Sequence, residues 1–101
     1  MMPADMMITQ AFAEVWSREA LSIPIRRLLV IGVLAATGEA GALQIQFQRA
    51  LSAGELTEEQ LDEAVLQLAH YLGWPKLGML TGAAMAAVKA YRAETTEQEE
   101  A

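Results

Sequence analysis

Four side chains able to hold, polarise or protonate a ligand recur along one stretch of the chain: Glu59, Glu63, Gln67 and His70. Their spacings of four, four and three put them on one face of an α-helix, with Glu63 and His70 two turns apart and able to address one ligand. A histidine near its reference pKa beside a carboxylate is suited to general acid or base work, which makes Glu63 and His70 the candidate catalytic pair. Gln67, and Gln46 further upstream, carry amides that hydrogen-bond a carboxylate or a carbonyl but move no proton at neutral pH. Arg26 has the fork geometry that grips a carboxylate through two N–H groups, and Tyr71 and Trp74 are the candidate aromatic wall of a ligand cage. Each residue also has a plainer reading. A polar stripe on an amphipathic helix is usually its solvated face, and His70 next to Tyr71 can be a packed structural residue. Arg26 can hold an interhelical or intersubunit ion pair, and Trp16, Tyr71 and Trp74 can be core or turn packing.

The elements that must position these residues are helical. Asp5 can cap a first helix over about Met6 to Ser17, with Ile8, Phe12, Val15 and Trp16 at helical spacing. Ser22 can cap a second, with Pro24 in its first turn and Gly38 as its left-handed stop. Apolar residues spread all round this second helix, so it is expected to be buried on most sides. A third helix is expected from about Ala40 to Ala53, with Leu43, Phe47, Ala50 and Leu51 on one face. Thr57-Glu58-Glu59-Gln60 fits a capping box at the start of the fourth, whose stripe is Leu61, Ala64, Val65, Leu68 and Leu72, ended by Gly73. Trp74-Pro75 then restarts the chain. A last helix is expected from about Pro75 to Ala93, rich in small residues that let another helix approach. The reading is an all-α bundle of about five helices in residues 1–93, followed by a disordered acidic tail over 94–101.

Bulk properties narrow the function classes. The chain has 101 residues, one domain's worth, and 53% of them are hydrophobic, more than so small a core usually needs. The excess suggests faces covered by a partner, most simply another copy of the chain. Of 13 acidic residues, Glu94, Glu97, Glu99 and Glu100 crowd the end, so the body is close to neutral although the net charge is −6. No basic footprint for nucleic acid is present. The absence of cysteine excludes disulfides, thiolate metal sites and cysteine-based peroxidase chemistry. The longest apolar run, Leu28–Ala36, is about half the ~20 residues a membrane span needs. With no signal-peptide pattern at Met1–Met7, a cytoplasmic protein is expected.

The order of certain residues resembles a known family. Trp16-x-Arg18-x-x-Leu21, then Arg26, then Leu34-Ala35-Ala36 is similar to the amino-terminal half of carboxymuconolactone decarboxylases. Ala50-Leu51-x-x-Gly54 and Thr57-x-Glu59-x-Leu61-x-Glu63 resemble their centre, and Tyr71-x-Gly73-Trp74-Pro75-Lys76 their closing turn. The resemblance covers about Phe12 to Ala87. It implies the alkylhydroperoxidase D-like helical fold, with two copies packed closely and often assembled into trimers of dimers, and a small-molecule pocket near the interface. It further implies decarboxylation of a carboxylated muconolactone without metal or organic cofactor. The sister peroxidase group, with its Cys-x-x-Cys pair, is excluded here by chemistry.

This chain departs from the family pattern at several polar positions. The family's Glu-Leu-x-x-His segment corresponds to Ala42-Leu43-Gln44-Ile45-Gln46, and a second histidine, four residues after Glu63, to Gln67. Glu19 replaces a usual proline, and one extra residue stands near Glu55. Two functions follow as expectations: a cofactor-free lyase or isomerase on a small carboxylated lactone, or a non-catalytic oligomeric ligand-binding or companion subunit. The expected partners are copies of the chain itself, as a homodimer, a trimer or a trimer of dimers. A small carboxylated ligand is expected as well, and an acidic tail can recruit a further protein.

Overall fold

Helix signals dominate the sequence, and the computed structural model, which describes residues 4–100, consists of helices. They are α1 (Ala4–Trp16), α2 (Ile23–Thr37), α3 (Ala40–Ser52), α4 (Glu58–Leu72) and α5 (Leu77–Glu100), with a 3₁₀ turn at Trp74–Lys76 before α5. No strand occurs among the described residues. None of the helices there is long and apolar enough to cross a membrane. Residues 1–3 and 101, which begin the expected domain and end the expected tail, lie outside the described residues.

Local chemistry explains most boundaries. Ser22 Oγ accepts from the Ile25 amide, and Pro24 occupies the first turn of α2, where its missing N–H costs nothing. Gly38, at φ +78°, turns the chain out of α2 while the Glu39 amide donates to the Leu34 carbonyl. The capping box of α4 is complete: the Gln60 amide donates to Thr57 Oγ1 at 3.1 Å, and the Thr57 amide donates to Gln60 Oε1 at 2.9 Å. Lys76 Nζ donates to the Ala36 carbonyl at 2.6 Å, putting a cation on the negative end of α2 and tying the 3₁₀ turn to it.

The core is built around α3. Its face of Leu43, Phe47, Ala50 and Leu51 packs chiefly on α5, where Leu80, Ala83, Ala84 and Ala87 let the two helices come close. Ile31 and Ala35 of α2 and Leu61, Val65 and Ala69 of α4 close the core. Among the described residues it contains no buried polar side chain.

Two features differ from the reading of the sequence. Only Ile31 and Ala35 of α2 are buried, while Leu29 and Val33 remain about 60% exposed. Ile8, Phe12 and Val15 of α1, for which the sequence shows only a helical spacing, are exposed as well, with no other described element covering them. At the other end, α5 runs past Ala93 to Glu100, through the expected disordered tail. No glycine or proline follows Gly82 to stop it. Glu94 also accepts hydrogen bonds from Ser52 Oγ and Gln48 Nε2, which fasten the extension to α3.

Those two bonds, Ser52 first and Gln48 second, hold the Glu94 carboxyl below the usual glutamate range. A depressed folded pKa means the stabilisation is present above the unfolded value and is lost as pH falls through the folded one. Acidification from neutral through the carboxylate range is therefore expected to fray the end of α5. Glu94→Gln should remove that acid-side change, as read by amide hydrogen exchange of residues 91–97.

Candidate functional site

The capping box fixes where α4 begins, and the helical repeat then decides which of its side chains share a surface. Glu63 and Gln67, one turn apart, line a groove of about 480 Å³ between α2 and α4. Its apolar floor is formed by Leu28 and Ile31 from α2, Leu56 from the preceding loop and Leu68 from α4, and Gln60 adds a second amide. An apolar floor edged by a carboxylate and two amides suits a small ring bearing polar oxygens.

His70 is on the same helical face but outside this groove. Its Nδ1 lies 3.0 Å from the Leu66 carbonyl, and its ring meets Trp74 edge-on with centroids 5.1 Å apart. A carbonyl only accepts, so this bond requires the proton on Nδ1. Trp74 and Tyr71 are exposed, Tyr71 at 82%, so neither is core packing and neither walls the groove.

A second polar cluster includes Gln46. The Arg27 guanidinium donates to both Glu55 oxygens, from Nε at 2.8 Å and from Nη2 at 3.1 Å, and from Nη1 to Gln46 Oε1. It also lies 4.7 Å over the ring of Trp16. The Arg27 and Glu55 side chains are only 13% and 8% exposed. Leu28 and Leu56, which floor the groove, directly follow Arg27 and Glu55 in the chain, so cluster and groove share a border. Residues 4–93 of a chain with this geometry match the sequence profile of the carboxymuconolactone decarboxylase family. The chain belongs to that family. No individual curated protein and no solved structure matches it significantly.

Within this family member, the expected site residues are not gathered at one point. Glu63 and Gln67 share the groove, Gln46 is engaged by Arg27, and His70 stands against Trp74. Arg26 donates from Nη2 to the Arg18 carbonyl at 3.1 Å, and its buried Nε–H has no partner. Arg26 forms no ion pair among the described residues; its neighbour Arg27 does, with Glu55 of the α3–α4 loop. Sequence reasoning missed Arg27 and Glu55 as a pair, although the adjacent arginines and the extra residue near Glu55 were the available signals. Among the described residues no three His, Asp or Glu side chains converge as a metal cage.

The Arg27–Glu55 pair sets a measurable stability. Removing one partner leaves a largely buried charge unsatisfied, so Glu55→Ala is expected to cost about 2–4 kcal/mol. An Arg27→Met, Glu55→Leu double variant should recover much of that loss, because neither charge then has to be desolvated. Urea unfolding of the single and double variants measures both.

Proposed function

We propose that this chain is a cytoplasmic, cofactor-free acid–base enzyme of the decarboxylase type, acting on a small carboxylated lactone or related ring held in the α2–α4 groove. The observation that carries the reading is the placement of Glu63 and Gln67 together over an apolar floor. In a decarboxylation the bond from ring carbon to carboxylate breaks and carbon dioxide leaves. The electron pair spreads toward the lactone carbonyl. Gln67 donates an amide N–H to the oxygen where that charge collects, and the Glu63 carboxyl protonates the carbon and is reprotonated by water. An isomerisation uses the same groups, with Glu63 removing a proton and returning it elsewhere. His70 takes no part.

A second reading, a non-catalytic ligand-binding or companion subunit, is favoured by one observation. Gln46 and His70 are both occupied outside the groove, so Glu63 is the one titratable side chain lining it. The test is turnover of a carboxylated muconolactone by the purified full chain, followed by ultraviolet absorbance. Turnover with His70→Ala within about twofold of wild type is the expected result, since loss of a positioned acid or base costs about 10²–10⁴-fold. Saturable binding without turnover would establish the second reading instead.

A further inference from the structure

A groove of about 660 Å³ between α4 and α5 plays no part in the site above, and α1 packs extensively on no other helix among the described residues. We propose that the first belongs to the second: the groove between α4 and α5 is the seat for α1 of another copy of this chain. The proposal does not depend on what the α2–α4 groove does chemically.

α1 is an amphipathic helix left in solvent. Ile8, Phe12 and Val15, at spacings of four and three, form its stripe, and each is more than half exposed. α1 is absent from the helix pairs that pack substantially in the fold. The radius of gyration is correspondingly large, 15.0 Å against about 13 Å for a compact chain of this length.

The groove has the dimensions of such a helix. It encloses about 660 Å³ over a floor of Val65, Ala84 and Val88, with Leu66 and Met85 on its lips, and Met85 is 72% exposed. Its lining on α5 runs from Leu77 to Arg92, a rise of about 22 Å, and the 13 residues of α1 rise about 20 Å. Anchors at i, i+4 and i+7 are how an amphipathic helix fills a groove of this kind. The α2–α4 groove fits less well: its α4 lining, Gln60 to Leu68, rises only about 12 Å.

Charge favours the same groove and gives a direction. The charged residues of α1 are Asp5 and Glu14, both acidic. Asp5 stands three residues before Ile8, at the amino-terminal end of the stripe. In the α4–α5 groove, Arg92 is paired with Glu58, and Lys89 has no ion pair among the described residues. Asp62 is the remaining acid on the α4 lip. Seating the amino-terminal end of α1 by Lys89 pairs that lysine with Asp5 and runs Val15 toward Leu77. In the α2–α4 groove an acidic helix would instead meet Glu63.

The occupant comes from another molecule because of where α1 is fastened. Trp16 at its carboxyl end stacks on Arg27 of α2, and α2 flanks α4 on the side of Glu63 and Gln67. The α4–α5 groove opens on the other side of α4, at Asp62 and Leu66. With roughly 100 Å² of apolar surface per exposed side chain, Ile8, Phe12 and Val15 and their counterparts in the groove bury about 600 Å². Reciprocal exchange doubles this to about 1,200 Å², the lower end of the range of stable interfaces of about 1,200–2,000 Å².

The experiment is light scattering of the full chain at fixed concentration, with circular dichroism to show that each variant is folded. Wild type is expected to be oligomeric, and Phe12→Asp and Met85→Asp each to be monomeric with helicity retained, since both side chains are exposed in one copy. Asp5→Lys and Lys89→Asp should each weaken self-association about tenfold, and the double variant should restore it. A monomeric wild type, a Met85→Asp chain that assembles like wild type, or a charge swap without rescue would overturn the proposal.

Discussion

Phe47→Ala is expected to lower the melting temperature by roughly 15–30 °C and to leave much of the chain unfolded under mild warming. Phe47 is the largest side chain fully removed from solvent, and it lies on the face of α3 that meets α5, the most extensive helix contact in the fold. Truncating a buried phenylalanine costs about 3–5 kcal/mol, the lost transfer energy plus the cavity left behind. A domain of this size has only about 5–15 kcal/mol in total. The neighbourhood is poorly able to collapse into the hole, because alanines at 50, 83, 84 and 87 already hold the helix backbones close. Ile45→Ala is the internal control. It removes a large apolar side chain two residues away, but one about half exposed, so an isolated copy should lose well under 1 kcal/mol. Thermal melts at one protein concentration compare the two. A Phe47→Ala melt within about 5 °C of wild type would mean that α3 is not the centre of the core.

The parts of this fold that could be read from the sequence are those specified locally. Ser22, Gly38, the Thr57–Gln60 box and Gly73 act within a turn of the boundary they set, and α2, α3 and α4 begin and end within about two residues of expectation. The end of α5 was not legible because its determinant is tertiary: Glu94 is fastened to Gln48, 46 residues earlier, and an acidic run by itself suggests disorder. The burial expected on most sides of α2 does not hold: its apolar pattern gives no face-by-face information, and Leu29 and Val33 stay exposed while Ile31 and Ala35 reach the core. For the site, spacing on one helix was enough to bring Glu63 and Gln67 to one groove. The same rule aligned His70 with them, yet it contains no information about where α2 stops covering α4 or about the Trp74 ring that His70 meets. Arg27, Glu55 and Gln46 come together across 28 and 19 residues, through a loop whose path no short-range pattern encodes.

Glu63→Gln should reduce turnover by about 10²–10⁴-fold while changing ligand affinity only a few-fold. The substitution keeps the size of the side chain and much of its hydrogen bonding, but an amide does not carry a proton at neutral pH. Uniform binding energy is then retained and transition-state stabilisation lost, so the effect should fall on kcat with KM nearly unchanged. Gln67→Ala should behave differently. It removes one neutral hydrogen-bond donor, a loss of about 1 kcal/mol or roughly fivefold, larger if that bond forms only as charge develops on the substrate. Groups that act on the same substrate do not contribute independently, so the Glu63→Gln, Gln67→Ala double variant should fall by less than the product of the two single effects. If Glu63→Gln turned over at the wild-type rate, proton transfer in the α2–α4 groove would be ruled out, and any activity would have to come from a group outside it.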